Sequence, residues 1–141
     1  MNKPLLPPPL VSVIVPVYNG CEFLDDCLRS MLNQSFTDAE IIVVNDGSTD
    51  ETPALLKQYE NHKNIVVCHF SENRGEAAAT NVGIQIAKGK YIARMDADDI
   101  SLPERLSLQV RMHKRLSRPQ KLATLQVRDQ SLSYLRVSLT L

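Results

Sequence analysis

Four stretches rich in β-branched residues recur along the chain, each followed by a polar cluster and then by a segment with helical spacing. Val11 to Val17 is apolar on both of its alternating faces, which predicts a strand buried on both sides of a sheet. In Glu22 to Gln34, Phe23, Cys27 and Met31 recur at every fourth position with Leu24, Leu28 and Leu32 beside them. Asp25, Asp26, Arg29 and Ser30 lie opposite, so the segment predicts an amphipathic helix. Glu40 to Asn45 predicts a second buried strand, and Asp46-Gly47-Ser48-Thr49-Asp50 behind it is a run of turn and cap residues. Pro53 suits the first turn of a second helix, with Leu55, Leu56 and Tyr59 apolar and Asn61 and His62 closing it. Ile65 to Phe70 predicts a third strand. Gly75 to Ala87 predicts a third helix, with Ala78, Val82 and Ile86 inward and Gly89 as its C-cap. Tyr91 to Met95 predicts a fourth strand, which ends in Asp96-Ala97-Asp98-Asp99, and Leu102, Pro103, Leu106 and Val110 open a fourth helix.

Strict alternation of strands and helices predicts an α/β fold: a mostly parallel, Rossmann-like sheet with right-handed crossovers and helices on both faces. Charge divides the chain in a way that the hydrophobic pattern does not. Residues 1–99 hold 8 basic and 14 acidic side chains, whereas residues 100–141 hold 8 basic and 2 acidic. The expected organisation is a Pro-rich tail over 1–10, one domain over 11–117 and an atypical basic tail over 118–141. Periodicity fades in that tail, although Gln126 to Leu141 alternates in a way compatible with a strand. Lost periodicity together with the basic shift leads us to expect a truncated chain whose end is disordered or frame-shifted.

The net charge of zero argues against a nucleic-acid binder. No apolar run reaches the roughly 18 to 20 residues of a membrane span, so at most peripheral membrane association is expected. Cys21, Cys27 and Cys68 form neither a disulfide framework nor a zinc pattern, and reduced thiols point to a cytoplasmic setting, with the inner face of the membrane as one location. His62, His69 and His113 are scattered and read as structural.

In an open parallel sheet, ligands gather at the carboxyl ends of the strands, where helix N-termini and free amides converge. Every polar cluster of this chain falls at such an end. Three carboxylates at Asp96, Asp98 and Asp99 repel one another unless a cation or solvent relieves them, and a hard divalent metal that also takes phosphate oxygens is the economical partner. The alternative is a solvated acidic turn capping the next helix. Asp46 reads equally as a ligand group or as a helix cap or turn residue. Arg74 reads equally as a phosphate binder or an ion-pair partner, and Tyr18 as packing or as a stacking platform. No GxGxxG, GxxxxGK[ST] or GxSxG motif is present, which sets aside hydride transfer, P-loop hydrolysis and serine-hydrolase chemistry. A sugar-nucleotide pyrophosphorylase would need a Gly-rich basic loop after the first strand, and Pro16 to Gly20 does not supply one.

In order, Val15-Pro16-Val17-Tyr18-Asn19, Val44-Asn45-Asp46-Gly47-Ser48-Thr49-Asp50, Glu72-Asn73-Arg74-Gly75, Asn81-Val82-Gly83-Ile84 and Gly89 through Asp99 resemble the donor-binding half of the family-two glycosyltransferases over about residues 11–115. The resemblance implies a GT-A fold, incomplete at its C-terminus, and an inverting transfer of sugar from a nucleotide-diphosphate donor. It implies that Pro16 and Tyr18 shape the base and ribose pocket, with Asn19 in support, that Asp46 accepts from the base, and that Arg74 lies at the nucleotide. By the same resemblance Asp96 sits at the ribose or metal, Asp98 ligates Mn²⁺ or Mg²⁺, and Asp99 supports the site. The implied partners are a UDP-sugar donor and a glycan or lipid-linked acceptor used in cell-surface or exopolysaccharide synthesis, with no nucleic acid. The family's base lies beyond the DxD motif, where only Glu104 and Asp129 follow, and neither is assigned that role. A truncated fragment that binds nucleotide without turnover is the alternative.

Overall fold

The computed structural model describes residues 7–116 and 126–127 of the 141-residue chain. Five strands form one sheet: β1 (Val11–Val17), β2 (Ala39–Asn45), β3 (Ile65–His69), β4 (Tyr91–Arg94) and the two-residue β5 (Gln126–Val127). Their spatial order is β3-β2-β1-β4-β5. The first four pair in parallel, and β5 pairs antiparallel with β4, Tyr91 opposite Val127. Apart from those two residues, the expected alternation over 126–141 lies outside the described residues, as do residue 117 and the rest of the basic tail over 118–141.

Among the described residues four helices connect and cover the strands: α1 (Leu24–Leu32), α2 (Thr52–Leu56), α3 (Glu76–Ile86) and α4 (Arg105–Leu116). All seven residues of β1 are buried, as the apolar run predicts, because β1 is central and covered on both faces. Val11, Val13, Val15 and Val17 point to one face with Leu24, Leu28 and Met31 of α1, Leu56 of α2, and Leu106 and Val110 of α4. Ile14, Ile42, Val44 and Ile92 point to the other face, where Ala79 and Ile84 of α3 and neighbouring Ala87 cover them. The expected two-sided coverage is present, divided as three helices against one.

α3 turns a different stripe inward from the one its spacing predicts. Ala79, Gly83 and Ile84 are buried, whereas Ile86 is 40% exposed. The cause is close approach: a Cβ at Gly83 would lie 2.5 Å from Ile14 Cγ2, so the small residues face the sheet and the helix sits low upon it. Gly89 does not cap that helix, whose C-cap is the extended Ala87. A Cβ on Gly89 would lie 2.4 Å from the backbone nitrogen of Ser12, and the Gly89 amide donates to Ser12 Oγ at 2.8 Å. Phe23, expected on the buried stripe of α1, lies just before that helix and is 50% exposed. α2 is shorter than expected because the chain tightens after Leu56 into turns in which Gln58 and Tyr59 donate to carbonyls three residues back.

The sequential strands β1, β2 and β3 run outward from the centre in one direction, and β4 then returns to the opposite side of β1. Strand order therefore reverses between β1 and β4, and the crevice at their carboxyl ends is the place where such a sheet leaves room for a ligand.

Candidate functional site

A cleft of about 540 Å³ opens at this reversal, lined by Pro16 through Gly20 at and just past the end of β1, Phe23, Glu76 at the start of α3, Arg94 at the end of β4, and Asp96, Ala97 and Asp98 beyond it. The spacing of the acidic cluster aims two of its carboxylates here. Arg94 Nη2 forms an ion pair with Asp96 Oδ1 at 2.7 Å, and the same nitrogen pairs with Glu76 Oε1. Asp98 is exposed and takes no hydrogen bond or ion pair from the described residues. Asp99, whose amide donates to the Asp96 carbonyl at 3.2 Å, turns away into a separate pocket of about 250 Å³ with Met95, Ile100, Ser101, Leu102 and Arg105. The cluster is thus divided between two pockets, with Asp96 and Asp98 in one and Asp99 in the other.

Gln34 holds this loop in place. Its Nε2 donates to the Leu102 carbonyl at 2.7 Å and to Ser101 Oγ at 3.1 Å, and its Oε1 accepts from the Leu106 amide at 3.1 Å. Beneath the loop the Cys27 thiol donates to the Asp96 carbonyl at 3.5 Å. Burial, with the nearby Asp99 charge, pushes that thiol up to about 11 and keeps it neutral.

Pro16 is buried at the end of β1, and Tyr18 just beyond it is 50% exposed over the cleft. Asn19 takes a left-handed conformation, φ 50°, which its short amide side chain tolerates. Its Oδ1 accepts from the Thr49 amide at 2.8 Å, and its own amide donates to Ser48 Oγ at 2.9 Å. Asn19 therefore ties the loop after β1 to the loop after β2 and supports the cleft wall through backbone contacts.

Asp46 is only 2% exposed. Its amide donates to the Val17 carbonyl at 2.8 Å, and its Oδ1 accepts from the Arg74 amide at 2.7 Å. The helix-cap alternative for Asp46 does not describe this geometry, because the carboxylate reaches across to the loop after β3. Arg74 meets Asp46 through its backbone, while its guanidinium lies 4.9 Å from the centre of the Phe70 ring. Neither residue lines the 540 Å³ cleft; both adjoin it beyond Val17. Pro16, Tyr18, Asn19, Asp96 and Asp98 are brought together, then, with Asp46 and Arg74 joined to each other beside them.

Asp50 fixes the back of this arrangement, since its carboxylate accepts from the amides of Cys21 at 3.2 Å and Thr52 at 2.9 Å. Burial raises its pKa, but hydrogen bonds from Thr52 and Cys21 outweigh burial and hold the carboxyl down to about 2, against its ordinary 3.8. A depressed folded-state value stabilises the fold above 3.8, and that contribution is lost as pH falls toward about 2. Acid unfolding followed by circular dichroism is expected to lose part of its slope in this window in Asp50→Asn; an unchanged slope would show that the contacts do not titrate.

Three cleft residues escaped the sequence reading. Phe23 was masked by its fit to the helical stripe. Glu76 lay in a helix that offered no charge pattern, and Arg94 sat inside a strand. A charged residue closing an otherwise apolar strand, two positions before Asp96, was the available signal for Arg94.

The fold and the loops together have clear counterparts. The family model described as glycosyl transferase family 2 matches residues 12–130. The putative teichuronic acid biosynthesis glycosyltransferase TuaG of Bacillus subtilis is 42% identical over 103 residues, 72% of this chain and 41% of TuaG. Staphylococcus aureus TarS 1–349 in complex with UDP-GlcNAc matches with a TM-score of 0.68 at 26% identity, covering 81% of this chain and 37% of that one. The mannosyltransferase PcManGT of Pyrobaculum calidifontis, in complex with GDP-Man and Mn²⁺, matches with a TM-score of 0.67 at 32% identity, covering 79% of this chain and 33% of that one. The chain spans 16% to 33% of the length of other curated glycosyltransferases that it matches. Since the family match runs from the second residue of β1 through the whole parallel sheet and every loop of the cleft, the chain belongs to glycosyl transferase family 2.

Proposed function

We propose that this chain forms the donor site of a glycosyltransferase that moves a sugar from a nucleoside diphosphate to an acceptor hydroxyl on a glycan or lipid-linked chain, in polysaccharide synthesis. The observation that carries the reading is the placing of Asp96 and Asp98 in one cleft with Pro16 and Tyr18, at the reversal of strand order. The similarity to TarS in complex with UDP-GlcNAc and to PcManGT with GDP-Man supports a nucleotide-sugar donor. On this reading the base and ribose lie over Pro16 and Tyr18, with Asp46 as the buried acceptor at the base. Arg74 holds Asp46 in place through its amide.

Asp96 and Asp98 fit a hard divalent cation, Mn²⁺ or Mg²⁺, by the chemistry of their donors. Such a cation accepts one or two carboxylates and fills its remaining positions with water and phosphate oxygens. When bound, the cation supplies neutralising charge to the departing diphosphate. In the transfer, the acceptor oxygen bonds to the anomeric carbon, the bond from that carbon to the distal phosphate oxygen breaks, and its electron pair leaves with the nucleoside diphosphate. The acceptor proton passes to a carboxylate base. Glu104 is exposed and lies outside the cleft, and Asp129 lies outside the described residues, so neither receives that role.

The reading carries with it a cytoplasmic setting with at most peripheral membrane attachment, which the three free cysteines suit. Thermal melts of the chain with UDP, GDP or dTDP, each with and without Mn²⁺, test the proposal. One nucleotide is expected to raise the midpoint in a Mn²⁺-dependent way, by the linkage between binding and folding. A cooperative melt that no nucleotide shifts would overturn it.

A further inference from the structure

Arg94 ends β4 with its guanidinium half exposed in the cleft, braced from two elements. Nη2 pairs with Glu76 Oε1 at the first turn of α3 and with Asp96 Oδ1 at 2.7 Å. Its Nε and Nη1 donate to no protein atom among the described residues, which leaves three of its five N–H groups unspent. A planar fork already ordered by two carboxylates loses little further freedom when an anion meets its open side.

Position decides which part of a donor that open side would meet. Neighbouring strands lie about 4.8 Å apart, so the ends of β2 and β4, with β1 between them, are separated by about 10 Å. A nucleotide whose base lies at Asp46 and Tyr18 crosses β1 and brings its phosphates over β4. There, among the described residues, the cleft presents Glu76, Asp96 and Asp98 against one cation, Arg94, an excess of negative charge that a diphosphate could not approach unaided. Resting on the donor-site reading above, we infer that Arg94 is a donor-contacting residue whose free guanidinium edge grips the distal phosphate of the nucleoside diphosphate. Glu76 is its positioning partner, and together they make the site select diphosphates over monophosphates.

Calorimetric titration of the full chain in Mn²⁺ with UDP and with UMP tests this, or with the corresponding guanosine or thymidine pair if the melts select that base. Arg94→Gln is expected to weaken diphosphate binding about tenfold while leaving the monophosphate nearly unchanged, the loss of one charge-assisted phosphate contact. Arg94→Lys keeps the charge without the fork and should fall between. Glu76→Gln should give a smaller loss of the same selectivity. Half-exposed ion pairs contribute little to stability, so the variants should melt close to the unaltered chain. If Arg94→Gln fails to fold, the same diphosphate-to-monophosphate comparison is made on Arg94→Lys. An equal loss for both nucleotides would reduce Arg94 to a support for Asp96 and overturn the inference, as would no loss at all. Either result in a chain that binds UDP leaves the donor-site reading intact; an unaltered chain that binds neither nucleotide ends both.

Discussion

Replacing Asp98 with alanine is expected to abolish Mn²⁺-dependent nucleotide binding, lowering affinity on the order of 100-fold or more while leaving the fold unmoved. Two observations set this contrast. Asp98 lines the cleft, and it takes no hydrogen bond or ion pair from the described residues, so its removal breaks no protein contact. Exposed substitutions of that kind usually stay within about 0.5 kcal/mol of the parent. The metal, by contrast, loses one of the two carboxylates proposed to hold it, and even indirect partners of metal ligands cost about 10- to 100-fold when removed. Asp99→Ala is the matched control, because Asp99 faces the other pocket and should leave nucleotide binding unaltered. Titrations of both variants with UDP, with and without Mn²⁺, check this. Undiminished metal dependence in Asp98→Ala would remove Asp98 from the site.

Gly47→Ala is expected to be the most destabilising single substitution in the loops, by about 2 to 5 kcal/mol. Two physical terms add. Gly47 sits at φ +67°, where a side chain costs about 1–2 kcal/mol. A Cβ there would also lie 2.3 Å from the carbonyl carbon of Glu72 and 2.5 Å from the amide nitrogen of Asn73, and such overpacking costs about 1–3 kcal/mol. Those atoms are backbone and cannot swing aside. The loop they belong to carries the Arg74 amide that Asp46 accepts, so forcing it outward would loosen the buried carboxylate as well. Gly47→Asn separates the two terms: asparagine tolerates the left-handed conformation but not the contact, and should remain destabilised. Guanidinium unfolding midpoints measure both variants, and full recovery in the asparagine variant would mean that the clash is relieved elsewhere.

Much of this architecture was legible in the chain because it depends on near neighbours. The β-branched run Val11 to Val17 can be satisfied only with cover on both faces, and it is central and wholly buried. Strict strand–helix alternation with long crossovers predicts parallel pairing, and β1 to β4 pair in that way. The clusters at Asp46 and Asp96 fall at strand ends, as their turn chemistry requires. Side-chain direction was less legible. Spacing alone put Phe23 and Ile86 inward, and both are exposed, because the depth at which a helix sits depends on the small residues of its partner face. Gly83 lets α3 sink onto Ile14 and so turns Ala79 and Ile84 inward in place of Ile86.

By itself the sequence determined the elements, their order, the parallel sheet and the loops that carry chemistry, since periodicity and turn residues act over a few positions. Only the tertiary structure decided which of those loops share a space. Asp46 meets the Arg74 amide across 28 positions, and Gln34 fixes the loop after Asp99 across 67 or more. Such contacts arise from strand order and crossover geometry, which no local pattern encodes. The division of Asp96 and Asp98 from Asp99, and the bracing of Arg94 between Glu76 and Asp96, belong to that second kind: three neighbouring carboxylates look alike in the chain, and the direction of each is set by what packs beneath its backbone.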